Sequence, residues 1–356
     1  MSRQHAFPHH LARAGAAALI AALLIAADDP PSAPAPLRTF GDWTIGCDNQ
    51  RSCMAVALVP DAEDRDGYLM LTLTRGGRAT APAQLAVMLP ATVARGKTVS
   101  MAVDRKTIAR IVAPGNGAGL ALPFSGSLAN ALIAGRRVAI VDSSDQTLAT
   151  ASLEGLSAAL TAMDDAQYRT GGVTALRRPG TRPRSRIPLV PPLPVVIQPP
   201  VTGKPPRVLS AKRAAKLIGR DNVACGQDAG AVAPQAFRLD ATHTLVTVEH
   251  PCGNGAYNIY TSLFVVPDKG KPAPAILDAP SGFSGQAGNI VINGGWEPAT
   301  RRVTAFLRAR GLGDCGSQQQ FAWDGARLRL VDQRDMGECR QVTSFIPTWR
   351  AQVVVR

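Results

Sequence analysis

The residues of this chain best suited to covalent chemistry are its six cysteines, and their spacing sorts them into three short-range couples: Cys47 with Cys53, Cys225 with Cys252, and Cys315 with Cys339. Couples that close short loops in this way staple β-hairpins in oxidising compartments. Metal ligation would ask for a tighter Cys-x2-Cys spacing with histidine partners. The first couple is wider than that, and beyond the amino-terminal leader only His243 and His250 remain. Disulfides are therefore the expected chemistry, each contributing ~2–4 kcal/mol in the chain-entropy picture. No metal or cofactor set is read from the sequence.

Other reactive groups are sparse. A hydrolytic triad would have to use His243 or His250 as its base, yet His250 sits beside Pro251 and Cys252 and reads as a strand-end residue. The nearest approach to a nucleophile elbow, Gly282-Phe-Ser284-Gly285, has the wrong spacing. Asp314, Asp324, Asp335 and Glu338 gather near the last cysteine couple. They are candidates for an acid–base pair of the glycosidase kind, or for turn caps and ion pairs with Arg310, Arg334 and Arg340. Gly311 to Gly316 matches G-x-G-x-x-G, but the run contains a cysteine of the last couple and leads into Gln318-Gln-Gln320, a predicted strand. A tight turn suits it better than a phosphate cradle, which needs a helix to follow. Tyr257, Trp296, Trp323 and Trp349 are candidates for a stacking platform, although four aromatics so widely spread read more simply as core. Trp43 reads as packing on the first disulfide.

The elements that must position these groups begin after a leader. Arg3 and Arg13 precede Ala14 to Ala27, an uncharged stretch of small and apolar residues. This is the outline of a signal peptide spanning 1–27, and the stretch is shorter than the ~20 residues that cross a bilayer. Nothing later in the chain is apolar for long enough to be a transmembrane segment. About 330 residues then remain, which suits two domains. The formal charge of the whole chain is +13, and residues 169–207 hold eight basic and no acidic residues together with ten prolines. Proline fixes φ and removes an amide donor, so this segment is expected to be an extended linker able to hold two domains up to ~90 Å apart. Arg177, Arg178, Arg182, Arg184 and Arg186 within it are the candidate contacts for an anionic partner. No specific nucleic-acid motif accompanies them.

On either side of that linker the pattern is β. Short apolar runs recur from Trp43 to Val141, separated by Gly, Pro, Asp and Asn, as in a sandwich or barrel. Ser127 is expected to cap a helix over Leu128 to Ala134, and Ser157 to cap one whose Leu156, Leu160 and Met163 share a face. In the second half Ser210 is expected to cap Ala211 to Gly219, with strands following and a tight turn at Asp324-Gly325.

Phe40-Gly-Asp-Trp43, Cys47-Asp-Asn49, Cys53-Met-Ala55, Ser152-Leu-Glu-Gly155, Ala158-Ala-Leu160 and Asp164-Asp-Ala-Gln167 mark the first half. Gly255-Ala-Tyr-Asn258, Arg310 to Gly316, Trp323-Asp-Gly325, Met336-Gly-Glu-Cys-Arg340 and Pro347-Thr-Trp-Arg350 mark the second. In order and spacing they resemble the bacterial domain-of-unknown-function family 1176, and the first half is also similar to invasion-associated locus B proteins. Gln341 stands where that pattern has glycine. The resemblance implies a secreted or periplasmic Gram-negative protein without assigned activity, and from the locus B side an envelope interaction.

The reading is thus a mostly β (β-rich α+β) chain with two disulfide-stapled domains. Residues 37–168 form a sandwich- or barrel-like domain, 169–207 the basic Pro-rich linker, and 208–356 an antiparallel meander with a leading helix. The expected role is non-enzymatic binding or envelope structure, with an anionic envelope component or an envelope protein as partner. The alternatives are an envelope glycan or peptidoglycan hydrolase using the carboxylates from Asp314 to Glu338, and an inhibitor of a secreted enzyme. A basic target such as lysozyme is disfavoured by like charge.

Overall fold

Alternation of apolar and polar side chains builds the first layer. In Met70–Arg75 the leucines at 71 and 73 are buried and the threonines at 72 and 74 face outward, and in Ala83–Met88 Leu85 and Val87 turn in while Gln84 and Met88 turn out. These are strands β4 and β5 of a sheet that begins with β1 (Arg38–Phe40), β2 (Trp43–Cys47) and β3 (Cys53–Ala57). A second sheet uses β6 (Thr98–Val103) and β7 (Lys106–Val112); β8 (Gly119–Pro123) then returns to the first. Helix α1 (Gly126–Ala134) precedes β9 (Arg137–Val141) and β10 (Thr147–Ser152), and α2 (Leu156–Ala166) follows. The sheets run β1-β2-β3-β4-β5-β8 and β10-β9-β6-β7, and both contribute to one apolar core with α1 and α2.

The computed structural model describes residues 34–61, 67–115, 117, 119–218, 233–251, 253–281 and 288–356. The leader reading at 1–27 and the Cys225–Cys252 couple lie outside them, as does the Gly282–Gly285 motif.

The helix caps differ from expectation. Helix α1 is capped by Ser125 rather than Ser127, and α2 by Gly155 rather than Ser157. Ser157 falls inside the first turn of α2, where its hydroxyl receives Nε of Arg177 at 2.5 Å. Gly155 takes the cap because its φ is +92° and its Cα approaches β1 so closely that a Cβ would overlap the Phe40 carbonyl oxygen. Both partners are backbone and cannot yield. Gly155→Ala is expected to cost about 2–3 kcal/mol, read as a lowered urea midpoint.

The proline-rich segment runs along the body. Ile187 and Val196 are buried, and Arg51 donates to the carbonyls of Pro188 and Leu189. A one-turn 3-10 helix covers Arg184–Arg186, and β11 (Val195–Gln198) pairs in parallel with the carboxy-terminal strand Gln352–Val355. The pairing is possible because Val195 to Gln198 is free of proline, so each of its residues keeps an amide to offer the ladder.

After α3 (Ala211–Leu217), capped by Ser210 through the Arg213 amide at 3.4 Å, come β12 (Gln235–Arg238), β13 (His243–Glu249), β14 (Tyr260–Pro267), β15 (Ala273–Pro274) and β16 (Ile290–Ile292), all in one sheet. The next sheet is an antiparallel meander of β17 (Gly295–Glu297), β18 (Arg302–Arg308), β19 (Gly316–Trp323), β20 (Leu328–Met336) and β21 (Ile346–Arg350); β22 (Gln352–Val355) is the partner of β11. One face of β12–β14 packs with the meander around Leu245, Leu263, Phe321 and Trp323, while the other packs Val246, Val248 and Phe264 with Leu209 and Ala214 of the α3 region. The chain is mostly β, as its patterning predicts.

Candidate functional site

The residues that pattern the two halves meet each other. Arg340 reaches from the β20–β21 connection to β1–β3: its Nε donates to the Val59 carbonyl at 2.7 Å, one terminal nitrogen donates to the Gly41 carbonyl at 3.0 Å, and the other pairs with the Asp42 carboxylate. Asn49 and Arg350 exchange two bonds, Nδ2 to the Arg350 carbonyl at 2.9 Å and the Arg350 amide to Oδ1 at 3.0 Å. The Arg350 guanidinium pairs with buried Asp48, and Thr39 donates to Glu338 at 2.8 Å. An apolar seam of Val56, Leu58 and Val59 with Cys315, Met336 and Ile346 lies between. Gly46 permits this approach, since a Cβ there would stand 2.9 Å from Cγ2 of Ile346.

The two described disulfides brace the segments that reach the seam. Cys47 and Cys53 are directly opposed across β2 and β3, with Cα atoms 4.0 Å apart, and Cys315 joins Cys339 at 4.9 Å. Beside the second, fully buried Asp314 receives Nε and a terminal nitrogen of Arg310 at 2.8 and 2.5 Å and the Gln341 amide at 2.6 Å. The Arg310 bonds outweigh burial and hold this carboxyl below its ordinary 3.8. A depressed carboxyl stabilises the fold above its unfolded value, and that contribution goes as pH falls through the folded one. Stability is therefore expected to decline below about pH 4, and Asp314→Asn should flatten the decline in a urea titration repeated across pH 2–6.

A second set of charges lies where α2 ends. Asp164, 1% exposed, receives Nη1 of Arg75 at 3.2 Å and the amides of Leu176 and Arg177 at 3.0 and 2.7 Å. Arg169, fully buried, donates to Gln167 Oε1, the carbonyls of Arg78 and Ala79, and Thr174. Burial, with repulsion from Arg169, holds Arg75 down to about 10. Burial also lowers Arg169, and the fields of Arg184 and Arg51 add to it while Asp164 opposes them. One carboxylate thus answers to two buried guanidinium groups, with two more close enough to be felt.

Beside this cluster opens a cleft of about 690 Å³ between the Gly76–Ala81 turn and the Ile187–Pro192 stretch, closed by Gln50, Ser52 and Arg350. Arg78 and Arg350 are its charged lining residues, and no carboxylate is among the described residues that line it. Its volume is within the ~300–1,000 Å³ of small-molecule sites. Four of the five candidate arginines, Arg178, Arg182, Arg184 and Arg186, are exposed along the same segment. Arg182 donates to the Tyr168 carbonyl at 2.7 Å, and Arg177 is held by Ser157.

The candidate carboxylates are dispersed into separate local bonds. Asp324 closes its turn through the Ala326 and Arg327 amides and pairs with Arg329, Asp335 receives Thr348 and Gln333, and Glu338 receives Thr39. No hydrogen bond joins any two of the four among the described residues. His243 lies on Asp240, which also receives Trp323 Nε1 at 2.6 Å. His250 Nε2 lies 2.7 Å from Ser262 Oγ, and burial lowers its pKa. Ser262 is itself buried within β14, between strands on both sides. Gly311–Gly316 turns into β19, and a Cβ on Gly316 would overlap the Leu307 carbonyl oxygen. Trp323 and Trp349 belong to the core, Trp296 packs on Phe237, and Tyr257 is exposed, so the four aromatics form no platform. Trp43 is buried and donates to the Ser152 carbonyl at 3.1 Å.

Sequence reasoning passed over Arg75, Asp164 and Arg169. The available signal was Asp164 itself, one turn beyond Leu160 and next to Met163 on the buried face of α2, where an unpaired carboxylate would be costly.

These features define a β-rich, disulfide-braced chain whose two halves are joined by a polar and apolar seam, and no helix among its described residues is long and apolar enough to cross a membrane. It belongs to the family described as protein of unknown function DUF1176, whose model matches residues 37–356. It is 28% identical over 323 residues to the uncharacterized protein YpfG of Escherichia coli K12, a match covering 84% of this chain and 87% of that one. The crystal structure of invasion associated protein B from Bartonella henselae shares 21% identity, covering 38% of this chain and 99% of the other, with a TM-score of 0.29.

Proposed function

We propose that this chain is a non-enzymatic binding protein of an oxidising envelope compartment, and that its partner is an anionic envelope component taken up along the arginine-bearing segment beside the seam cleft. The observation that carries the reading is the charge imbalance: Arg75 and Arg169 share one carboxylate, and the neighbouring cleft adds Arg78 with no carboxylate in its described lining, while Arg350 is matched by Asp48. An anion there would meet Arg78 directly and the field of the neighbouring guanidinium groups. The disulfides and the leader support the compartment.

The test uses Arg178, Arg184 and Arg186, which are exposed and whose side chains make no hydrogen bond among the described residues. Changing all three to Ser should leave the fold intact. It should weaken binding to phosphatidylglycerol vesicles or lipopolysaccharide by roughly 100-fold, at ~1 kcal/mol per cation, and shallow its salt dependence. Phosphatidylcholine vesicles should bind neither protein. Equal affinity and equal salt slope for variant and parent would sink the reading.

A further inference from the structure

A polar cavity opens where the pattern of the fold calls for core. The inner face of the β12–β14 sheet, the one that buries Phe237, Leu245, Leu263 and Val291 with the meander, continues at one end into Gln235, Thr247, Glu249 and Thr261. Their placement follows from register. Gln235 lies opposite Thr247 and Glu249 opposite Thr261, so the four form one contiguous patch on that face. They line a cavity of about 430 Å³ together with His250 and the pair Gly294–Gly295.

Two features separate this cavity from a wetted sheet end. Thr247 and Thr261 are 6% and 7% exposed, yet neither hydroxyl has a side-chain hydrogen bond among the described residues. Both hydroxyls are therefore free to bond a guest in the cavity. The opposing strand also presents no side chain: a Cβ on Gly295 would meet nothing within 4 Å, so the space is real, while Gly294 is held against the Thr304 carbonyl. Apolar residues at 247 and 261 with a larger one at 295 would have closed this end of the core.

We propose that this cavity is a binding site for one polyhydroxylated saccharide unit, neutral or carrying an amino group. The groups on offer are two hydroxyls, an amide and one carboxylate, which together both give and accept hydrogen bonds as adjacent sugar hydroxyls do. Glu249 is the one charged side chain among the described lining residues, and it favours an ammonium over an acid. The site is separate from the arginine-bearing cleft and has the opposite charge preference, so it goes beyond the function proposed above and stands or falls without it.

The experiment titrates the full-length protein with glucosamine, glucose and glucuronate, followed by protein NMR shifts. Glucosamine and glucose should both bind, and glucuronate should bind at least about tenfold more weakly than glucose. Glu249→Gln should reduce the glucosamine affinity by about tenfold and leave glucose nearly unchanged, whereas Thr261→Val should weaken both. Gly295→Leu fills open space and should fold normally while abolishing binding. Binding of a reducing disaccharide with unchanged affinity would identify a chain end as the source, and its exclusion a free monosaccharide. Absence of any sugar-dependent shift, or shifts that survive Gly295→Leu, would overturn the proposal.

Discussion

Replacing Asp164 by Ala should destabilise the protein by about 3–5 kcal/mol, because it leaves two guanidinium groups buried against each other. Arg75 and Arg169 are 5% and 0% exposed, and Asp164 is the carboxylate bonded directly to Arg75. The loss has two parts. Removing the charge strands Arg75, already held down to about 10 by burial and by Arg169. Removing the acceptor strands the amides of Leu176 and Arg177, which fix the chain as it leaves α2 for the proline-rich stretch. Asp164→Asn keeps one acceptor and should cost less than Asp164→Ala. The double change Arg75→Met with Asp164→Leu removes a charge of each sign and should also cost less than the alanine variant alone. Urea midpoints at constant m would read all three, and a loss below about 1 kcal/mol for Asp164→Ala would refute the account.

Arg340→Ala should lower stability by about 3 kcal/mol, and the damage should be concentrated at the seam. The side chain is 13% exposed and serves two carbonyls and two carboxylates from four points of the first half, Gly41, Asp42, Val59 and the exposed Asp61. Lysine has the charge but not the planar fork, so Arg340→Lys should recover less than half of the loss. For chains of 150–250 residues a deficit of this size moves Tm by roughly 6–12 °C, and in this chain of 356 residues the shift should be smaller. Hydrogen exchange should show Val56 and Leu58 losing protection while the β4–β5 ladder, remote from Arg340 in the sheet order, keeps its own. Uniform loss across both ladders would mean that the seam does not open separately.

Much of the local structure was written into residue types at short range. Alternation in 70–75 and 83–88 specifies strands and the face each buries, since a β-strand places neighbouring side chains on opposite sides. The Cys47–Cys53 and Cys315–Cys339 couples could be drawn from spacing because each closes a short loop. The motifs carrying the family resemblance were legible too, although what they do was not. Phe40 to Trp43, Cys47 to Asn49, Met336 to Arg340 and Pro347 to Arg350 look like separate signatures, and only the folded chain shows several of their members bonded to one another across about 300 positions.

Tertiary structure decided whatever depended on a distant partner. Ser157 has the right type for a helix cap, but the Phe40 carbonyl stands where only a glycine can pass, and the cap moves to Gly155. Asp314, Asp324, Asp335 and Glu338 lie close together in sequence and end in unrelated bonds, because each sits on a different turn or strand of the meander. A proline-rich stretch reads as a spacer until the carboxy-terminal strand supplies a ladder for Val195 to Gln198. Sequence alone determined periodicity, local loop closure and charge, which are properties of neighbours along the chain. The pairing of Asp164 with Arg75, the seam around Arg340 and the polar cavity at Thr247 and Thr261 required knowing which remote surfaces meet, and the register and packing of whole sheets settle that.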